Sequence, residues 1–435
     1  FLTIPIFTRI LTTAEYGVVN TYTSAVAIAS FVVGLSLQNA INGIIKEDKF
    51  DFKQYQSAVM TLSFLFFVIM AVFAYGFKIL FLKDISDIVF IAGIIQSYAT
   101  FVIAFVSIEW RLYNRYIGYT LLNVLPSLLA ILVSIWAIGQ LDSEKYLGRI
   151  VPTMLIQTIA ALGCMIYIWC RGKKFFSIAM WKTALAYCLP LIMHTISLLI
   201  LEQSDRIMVA SISGLSEAGI YGFTHSFALA IQVVFVALDN VWASTFVTSM
   251  KNKLSAEDIN KKAESFTEIY TLFVIGFIFV SPELVKLMAD KDYWSGIVYI
   301  PLFVLASYVN LIYTFPVNNE YYESQTKSMA KVSLLAAVIN IALNFIVIPF
   351  AGGAGAAFTT LLTYIFLFFV HWRNSKKLNK DLFPLVLFKN TSLLVLVAVA
   401  IYYLLFNLWI ARWILIAVFT VVYVWKLYKK YIKTV

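Results

Sequence analysis

The chain has 435 residues, of which 61% are hydrophobic and only 13% charged. Soluble domains run near half apolar and a quarter charged, so this composition excludes most enzyme classes, nucleic-acid binders and secreted proteins. The formal charge of +10 reports topology first, because cytoplasmic connectors of membrane proteins collect lysine and arginine.

Apolar runs of membrane-spanning length predict fourteen helices. The first, 1–11, opens inside an apolar run without Met or a basic flank, and is expected to be a truncated helix whose start lies upstream. The second covers 17–45, followed by 57–82, 87–108, 117–138 and 147–170. The second half predicts 183–204, 217–242, 266–289, 297–319, 330–350 and 354–372, and a last pair covers 385–407 and 410–428. Fourteen helices of about 21 residues consume roughly 290 residues. Only short connectors remain, with no room for a soluble catalytic domain. Pro126, Pro152, Pro190, Pro301 and Pro316 fall within or at the start of helices and predict kinks. Cys164, Cys170 and Cys188 are irregularly spaced in or beside apolar runs, which fits neither a disulfide framework nor a metal site. There is no Walker loop, no HExxH and no serine–histidine–aspartate set of plausible geometry, so no cofactor is expected.

Alternating connectors fix an orientation. With the N-terminus inside, the inner connectors hold most of the 33 basic residues, among them Lys46, Lys49, Arg111, Arg171, Lys173, Lys251, Lys327, Arg373 and Lys430. A miscounted helix would invert every later loop, so both termini are expected in the cytoplasm. An internal repeat also shows: Glu15, Gly17, Ser24 and Gln38 meet Glu217, Gly219, Ser226 and Asn240 at an offset of 202. Both copies follow a helix carrying a proline, Pro5 or Pro190. The fold class is therefore all-α and polytopic, with two pseudo-symmetric six-helix lobes in the same orientation. Their expected bounds are 1–182 and 183–372, with an appended pair at 373–435. Parallel repeats of this kind enclose a central cavity in several transporter families.

Polar groups are costly in lipid and should face protein or a wet cavity. On a continuous second helix Asn20, Ser24, Gln38 and Asn42 lie within about 40° of one another. Tyr221, His225, Gln232 and Asp239 form a similar stripe on the eighth helix. His194, Ser197 and Asp205 share a face of the seventh, and Gln96, Thr100 and Ser107 lie on the fourth. Coordinated stripes on corresponding helices predict a water-filled seam between the halves. Arg9, near the outer end of the first helix, and Arg206, beside Asp205, could each receive a phosphate through the planar guanidinium fork. Pairing with Asp205 is an equal alternative for Arg206, and Arg9 has only Glu15 as a sequence-local acid. His194 and Asp205 are candidates for ion coupling, whereas His371, beside Trp372 and Arg373, reads as an interfacial anchor. Glu202 and Asp239 are expected near helix ends.

Ile4-Pro5-Ile6-Phe7-Thr8-Arg9-Ile10-Leu11, with Ala14-Glu15-Tyr16-Gly17, resembles the opening of bacterial polysaccharide flippases. These belong to the multidrug/oligosaccharidyl-lipid/polysaccharide transporter superfamily. Leu189-Pro190-Leu191, Asp205-Arg206 and Gly219-Ile220-Tyr221 resemble its seventh-to-eighth segment. Asn340-Ile341-Ala342-Leu343-Asn344, Ile348-Pro349 and Gly352-Gly353-Ala354-Gly355 resemble its eleventh-to-twelfth turn. The resemblance implies alternating access and flipping of undecaprenyl-diphosphate-linked oligosaccharide repeat units across the bacterial inner membrane. The product would be O antigen, capsule or another surface polysaccharide. It further implies a proton or sodium gradient as the drive, a polysaccharide polymerase as working partner, and Arg9 as a diphosphate contact.

Asn20, Ser24, Gln38, Arg206, His225, Gln232 and Asp239 complete the expected substrate-binding set. The nearest rival is a cation-coupled multidrug exporter of the same superfamily. A polysaccharide polymerase or ligase is disfavoured, since the longest outer connectors, near 139–147 and 289–297, are too short to hold sugar and catalytic groups. The matched position of Arg9 predicts that Arg9→Ala abolishes transport while membrane abundance is intact. Normal transport at normal abundance removes it from the site.

Overall fold

The computed structural model describes residues 3–41, 50–81, 83 and 85–431, the side chains of residues 190, 191, 193–195, 197, 198, 201, 326, 327 and 431 excepted. The first seven helices are α1 (Ile4–Ile10), α2 (Thr13–Val33), α3 (Phe52–Phe81), α4 (Asp87–Leu112), α5 (Tyr116–Gly139), α6 (Leu147–Gly172) and α7 (Ile178–Ser213). They are followed by α8 (Leu215–Lys251), α9 (Ala256–Met288) and α10 (Ile300–Tyr322). The helical stretch Thr326–Leu378 bends at Gly352 into two arms, α11 (326–351) and α12 (353–378). The last two are α13 (Val386–Leu404) and α14 (Trp409–Tyr431). The described residues thus form fourteen helices, as the apolar runs predict, and the chain is an all-α multi-pass membrane protein. Eleven segments are long and apolar enough to cross a membrane, one of them the bent stretch of 51 residues. At 1.5 Å per residue that stretch is long enough for two crossings.

Local chemistry sets the breaks. Ser255 caps α9 by accepting the Asp258 amide at 3.1 Å, with Glu257 and Asp258 complementing the positive helix start. Gly214 separates α7 from α8 at φ 92°, and Lys173 ends α6 in the left-handed conformation. The second helix departs from its expected 17–45 extent. It stops at Val33; Leu35 and Ser36 take positive φ, and a separate 3-10 turn, Leu37–Asn39, follows. The cause is packing: a Cβ on Gly34 would fall 2.0 Å from the Phe101 ring, so the chain turns where only glycine can pass. Gln38 therefore does not continue the helical register of Asn20 and Ser24, and Asn42 lies outside the described residues.

The chain divides into two compact units, residues 14–210 and residues 1–13 with 211–435. These differ from the sequence lobes at two segments, because α1 packs with the C-terminal half and most of α7 with the N-terminal half.

In the N-terminal unit, Tyr55, Met60, Phe101, Phe105, Val106, Met165 and Cys188 form the core. Polar ties cross it. Tyr22 donates to Gln96 at 2.6 Å, the Trp181 indole donates to the Ala58 carbonyl at 2.8 Å, and the Glu15 carboxylate accepts the Lys145 amide at 2.8 Å just before α6.

In the C-terminal unit, the buried Trp242 ring meets Phe315 edge-on at 4.7 Å and packs against Phe246, Phe266 and Phe383. Arg412, 1% exposed, fastens α14 to α9 through the Glu283 carboxylate and the Phe279 carbonyl. At the far end of α14, Lys430 reaches Glu264 at 2.7 Å and Glu268 at 3.1 Å.

Glu217, in the first turn of α8, holds the start of α12. Its Oε1 accepts the Gly353 amide at 2.9 Å and the Tyr299 hydroxyl at 2.6 Å. A Cβ on Gly353 would meet that oxygen at 2.9 Å, so the paired glycines are what let the carboxylate approach. Glu217→Ala should destabilise the protein by about 2 kcal/mol, since it removes the charge-assisted bonds to the Gly353 amide and the Tyr299 hydroxyl. Thermal unfolding in detergent measures this, and Glu217→Gln should lose much less because its carbonyl still accepts. Equal losses for both variants overturn the hydrogen-bond account.

Candidate functional site

The first turns of α2 and α6 and the last turns of α7 bring together the polar cluster of the N-terminal unit. Tyr16 lies within electrostatic reach of both Arg149 and Arg206, and hydrogen-bonds with Asn20. Asn20, itself buried, also donates to the Tyr16 carbonyl at 3.0 Å. Arg149 reaches Ser134 Oγ at 3.4 Å across the α5–α6 contact. Asp205, 4% exposed, precedes Arg206 on α7. Two guanidinium groups thus lie within electrostatic reach of one phenol that Asn20 also bonds, and each can offer forked donors to an oxyanion. Just before α6, Tyr146 donates to Glu144 at 2.8 Å. Burial first, then that bond and the charges of Glu144 and Glu15, push its pKa up to about 12, so this phenol stays neutral.

Arg149 is absent from the expected set, although a signal was present. It sits in the first turn of α6, where the helix dipole repels a cation, so a local reason for an arginine was needed. Arg206 and Asn20 each interact with Tyr16. Ser24 is fully buried on α2 with no hydrogen-bond partner for Oγ among the described residues. Gln38 is buried in the 3-10 turn with Oε1 likewise unpartnered. The side chains of His194 and Ser197 lie outside those described.

Arg9 belongs to the other unit. It is exposed, and its Nη2 donates to the Leu287 carbonyl at 2.9 Å, while Thr8 reaches the Met288 carbonyl at 3.2 Å. Arg9 therefore caps the carbonyl end of α9, where a cation complements the helix dipole. Its partner is a backbone group 278 residues away, and Glu15, the expected acid, is instead engaged with Lys145.

On α8, Tyr221 and His225 stack at 6.2 Å, and Phe303 meets the imidazole edge-on at 5.2 Å. Gln232 and Asp239 continue along the helix, both half-buried. Asp239 lies about three turns inside α8 and not near a helix end, beside the Thr314 hydroxyl of α10. Its Oδ1 has no hydrogen-bond partner among the described residues.

Two buried networks in the C-terminal unit escaped sequence reasoning. Asn344 donates to Asn340 at 3.3 Å and accepts from Thr359, and Asn340 donates to Thr363 at 3.4 Å, which ties α11 to α12. His371 is not an interfacial anchor. It is buried, with Nδ1 2.8 Å from Glu320 Oε1. Adjacency to Trp372 and Arg373 misled because a helix turns 100° per residue, so neighbours in sequence face different surroundings. Among the described residues no group of three or more histidine, cysteine, aspartate or glutamate side chains is placed to hold a metal ion.

A family model described as polysaccharide biosynthesis protein matches residues 1–243, more than half the chain. The chain belongs to that family. A protein of the Lsg locus of Haemophilus influenzae is 22% identical to it over 371 residues, 82% of this chain and 90% of that protein. In fold, this member of the polysaccharide biosynthesis family is similar to the lipid II flippase MurJ in its inward closed conformation. The TM-score is 0.73 with 18% identity, over 99% of both chains. It is also similar to an inward-facing multidrug resistance transporter of the MATE family and MOP superfamily. That likeness has a TM-score of 0.63 and 15% identity, over 87% of this chain and 94% of the other. These neighbours in fold are transporters and not enzymes.

The arginine cluster predicts that Arg149→Ala weakens binding of a polyprenyl diphosphate at least tenfold, the scale of one lost charge-assisted hydrogen bond. Arg149→Lys, which keeps charge but not the fork, should recover only part. Binding to purified protein in lipid nanodiscs measures both, and unchanged affinity in Arg149→Ala removes this residue from the site.

Proposed function

We propose that this protein flips undecaprenyl-diphosphate-linked oligosaccharide repeat units across the bacterial cytoplasmic membrane by alternating access, supplying surface polysaccharide synthesis. The observation that carries the reading is that Arg149 and Arg206 both lie within electrostatic reach of Tyr16, which hydrogen-bonds with Asn20, within one unit. A diphosphate carries two adjacent negative centres, and two forked donors match them better than one. Membership of the polysaccharide biosynthesis family supports a saccharide cargo. The MurJ-like fold supports a lipid-linked one. The sugar meets the uncharged polar groups Ser24 and Gln38 of the same unit, while the isoprenoid tail stays in the bilayer.

In this reading both termini lie in the cytoplasm, and the arginine cluster lies toward the outer leaflet, where it receives the diphosphate late in the cycle; Arg9 is a candidate diphosphate contact of the C-terminal unit. His225, Gln232 and Asp239 are candidate polar contacts within the C-terminal unit, His194 and Asp205 serve ion coupling, and the polymerase that takes up the repeat units, for O antigen or capsule, is the working partner. One observation favours the multidrug-exporter alternative. Asp239 lies well inside α8 with an unpartnered oxygen, as a group meeting a cationic drug would.

The deciding experiment is leaflet-resolved accumulation of lipid-linked repeat units in cells lacking this protein. The expected result is build-up on the cytoplasmic leaflet with loss of surface polymer. Normal polymer together with new sensitivity to cationic dyes favours the exporter. Unpolymerised repeat units on the outer leaflet overturn both readings in favour of a polymerase or ligase.

A further inference from the structure

The two units carry corresponding ion pairs whose chemistry differs in one respect. In the N-terminal unit, Glu109 near the end of α4 meets Arg171 near the end of α6, Oε1 to Nη2, at 2.8 Å. The second oxygen, Oε2, accepts from Gln56 at 3.0 Å, and Arg171 also donates to Tyr167 at 2.8 Å. Both carboxylate oxygens are engaged, and the cation is one that does not titrate in proteins.

In the C-terminal unit the corresponding helix ends, of α10 and α12, present Glu320 and His371 at 2.8 Å. Their side chains are 0% and 1% exposed. Here the pair is incomplete. Glu320 Oε2, His371 Nε2 and the adjacent Asn319 Oδ1 have no hydrogen-bond partner among the described residues. The Asn319 amide is fixed on Ser375 Oγ at 2.8 Å, so this orphaned oxygen is held in place.

A neutral imidazole beside an ionised Glu320 leaves one uncompensated negative charge in a dry interior, which is strongly unfavourable. One added proton turns the pair into a compensated imidazolium–carboxylate. Loss of that proton therefore favours exposure of the pair to water. Among the described residues no lysine or arginine forms an ion pair with Glu320. From α10, the Tyr313 ring meets the imidazole edge-on at 5.2 Å. Tyr321 of α10, Tyr364 of α12 and Asp239 of α8 lie within electrostatic reach of Tyr313 together with Glu320. Arg373, two residues beyond His371, is exposed and roughly 160° away around the helix.

We infer that Glu320 and His371 form a proton-binding site of the transport cycle. It is loaded while the ends of α10 and α12 are packed together and emptied when that end opens to water, with the Glu109–Arg171 pair as its non-titrating counterpart. This inference deepens the proposed transport reading, and its test needs no transport substrate.

The full chain, labelled with 15N-histidine and placed in nanodiscs, is titrated between about pH 5 and 9 and followed by NMR. Only three histidines are present, so each signal is assigned by substitution. The expected result is a one-proton step that disappears in His371→Gln and moves by at least tenfold in proton concentration in Glu320→Gln. His371→Arg, which copies the N-terminal pair, should fold to wild-type abundance, lack the step, and lower surface polymer in cells at least tenfold. A His371 signal that does not change with pH overturns the inference. So does a step indifferent to Glu320→Gln, or one displaced when sodium replaces potassium. A normal step in a protein whose loss leaves lipid-linked saccharides correctly distributed refutes the flippase reading and leaves the proton site standing.

Discussion

A polar backbone end inside or beside a bilayer must find a partner within the protein, because lipid offers none. In this structure carboxylates meet that requirement at the start of the sixth and twelfth helices. Glu217 takes the Gly353 amide, and Glu15 takes the Lys145 amide. Each acid stands in the first turn of the second helix of its repeat, and each lies 202 residues from the other. The same group complements the dipole of its own helix and satisfies a donor at the start of another. Both roles fail with an apolar residue, so these two side chains tie the starts of α2 and α8 to the starts of α6 and α12.

From that arrangement follows the contrast between the two ends of each unit. One end is held by carboxylates bound to uncharged backbone groups, an interaction that needs no counter-ion. The opposite end is held by ion pairs, Glu109 with Arg171 and Glu320 with His371. Buried ion pairs contribute little to stability once desolvation is counted, yet losing one partner is costly. Both Glu109 oxygens are engaged, whereas Glu320 Oε2 has no hydrogen-bond partner among the described residues.

Elsewhere, permanent charge has been placed where it fastens rather than moves. Arg412 is wholly buried between Glu283 and the Phe279 carbonyl, and Lys430 meets two glutamates of α9. The appended helix α14 is thus fixed to α9 at both ends. Arg9 spans 278 residues to close the carbonyl end of the same α9. That bond draws the first helix into the unit formed by residues 211–435.

Much of this architecture was legible in the amino-acid order, because a bilayer imposes length and polarity on each segment independently of its neighbours. The fourteen helices, the bend near Gly352-Gly353 and the repeat of Glu15 with Glu217 all follow from local runs. What was not legible depended on pairs distant in sequence. Hydropathy assigns the start of α6 to a helix but cannot show that Arg149 faces Tyr16, which a turn of another helix supplies. Nor could it show that Phe101 forces the chain to break at Gly34, that Glu320 waits behind His371, or that Arg9 ends on the Leu287 carbonyl. By itself the sequence determined the class, the number of helices and the kinds of polar group they carry. Tertiary structure decided which of those groups meet, because a side chain's energy in a dry interior is set by the partner it finds and not by the run it belongs to.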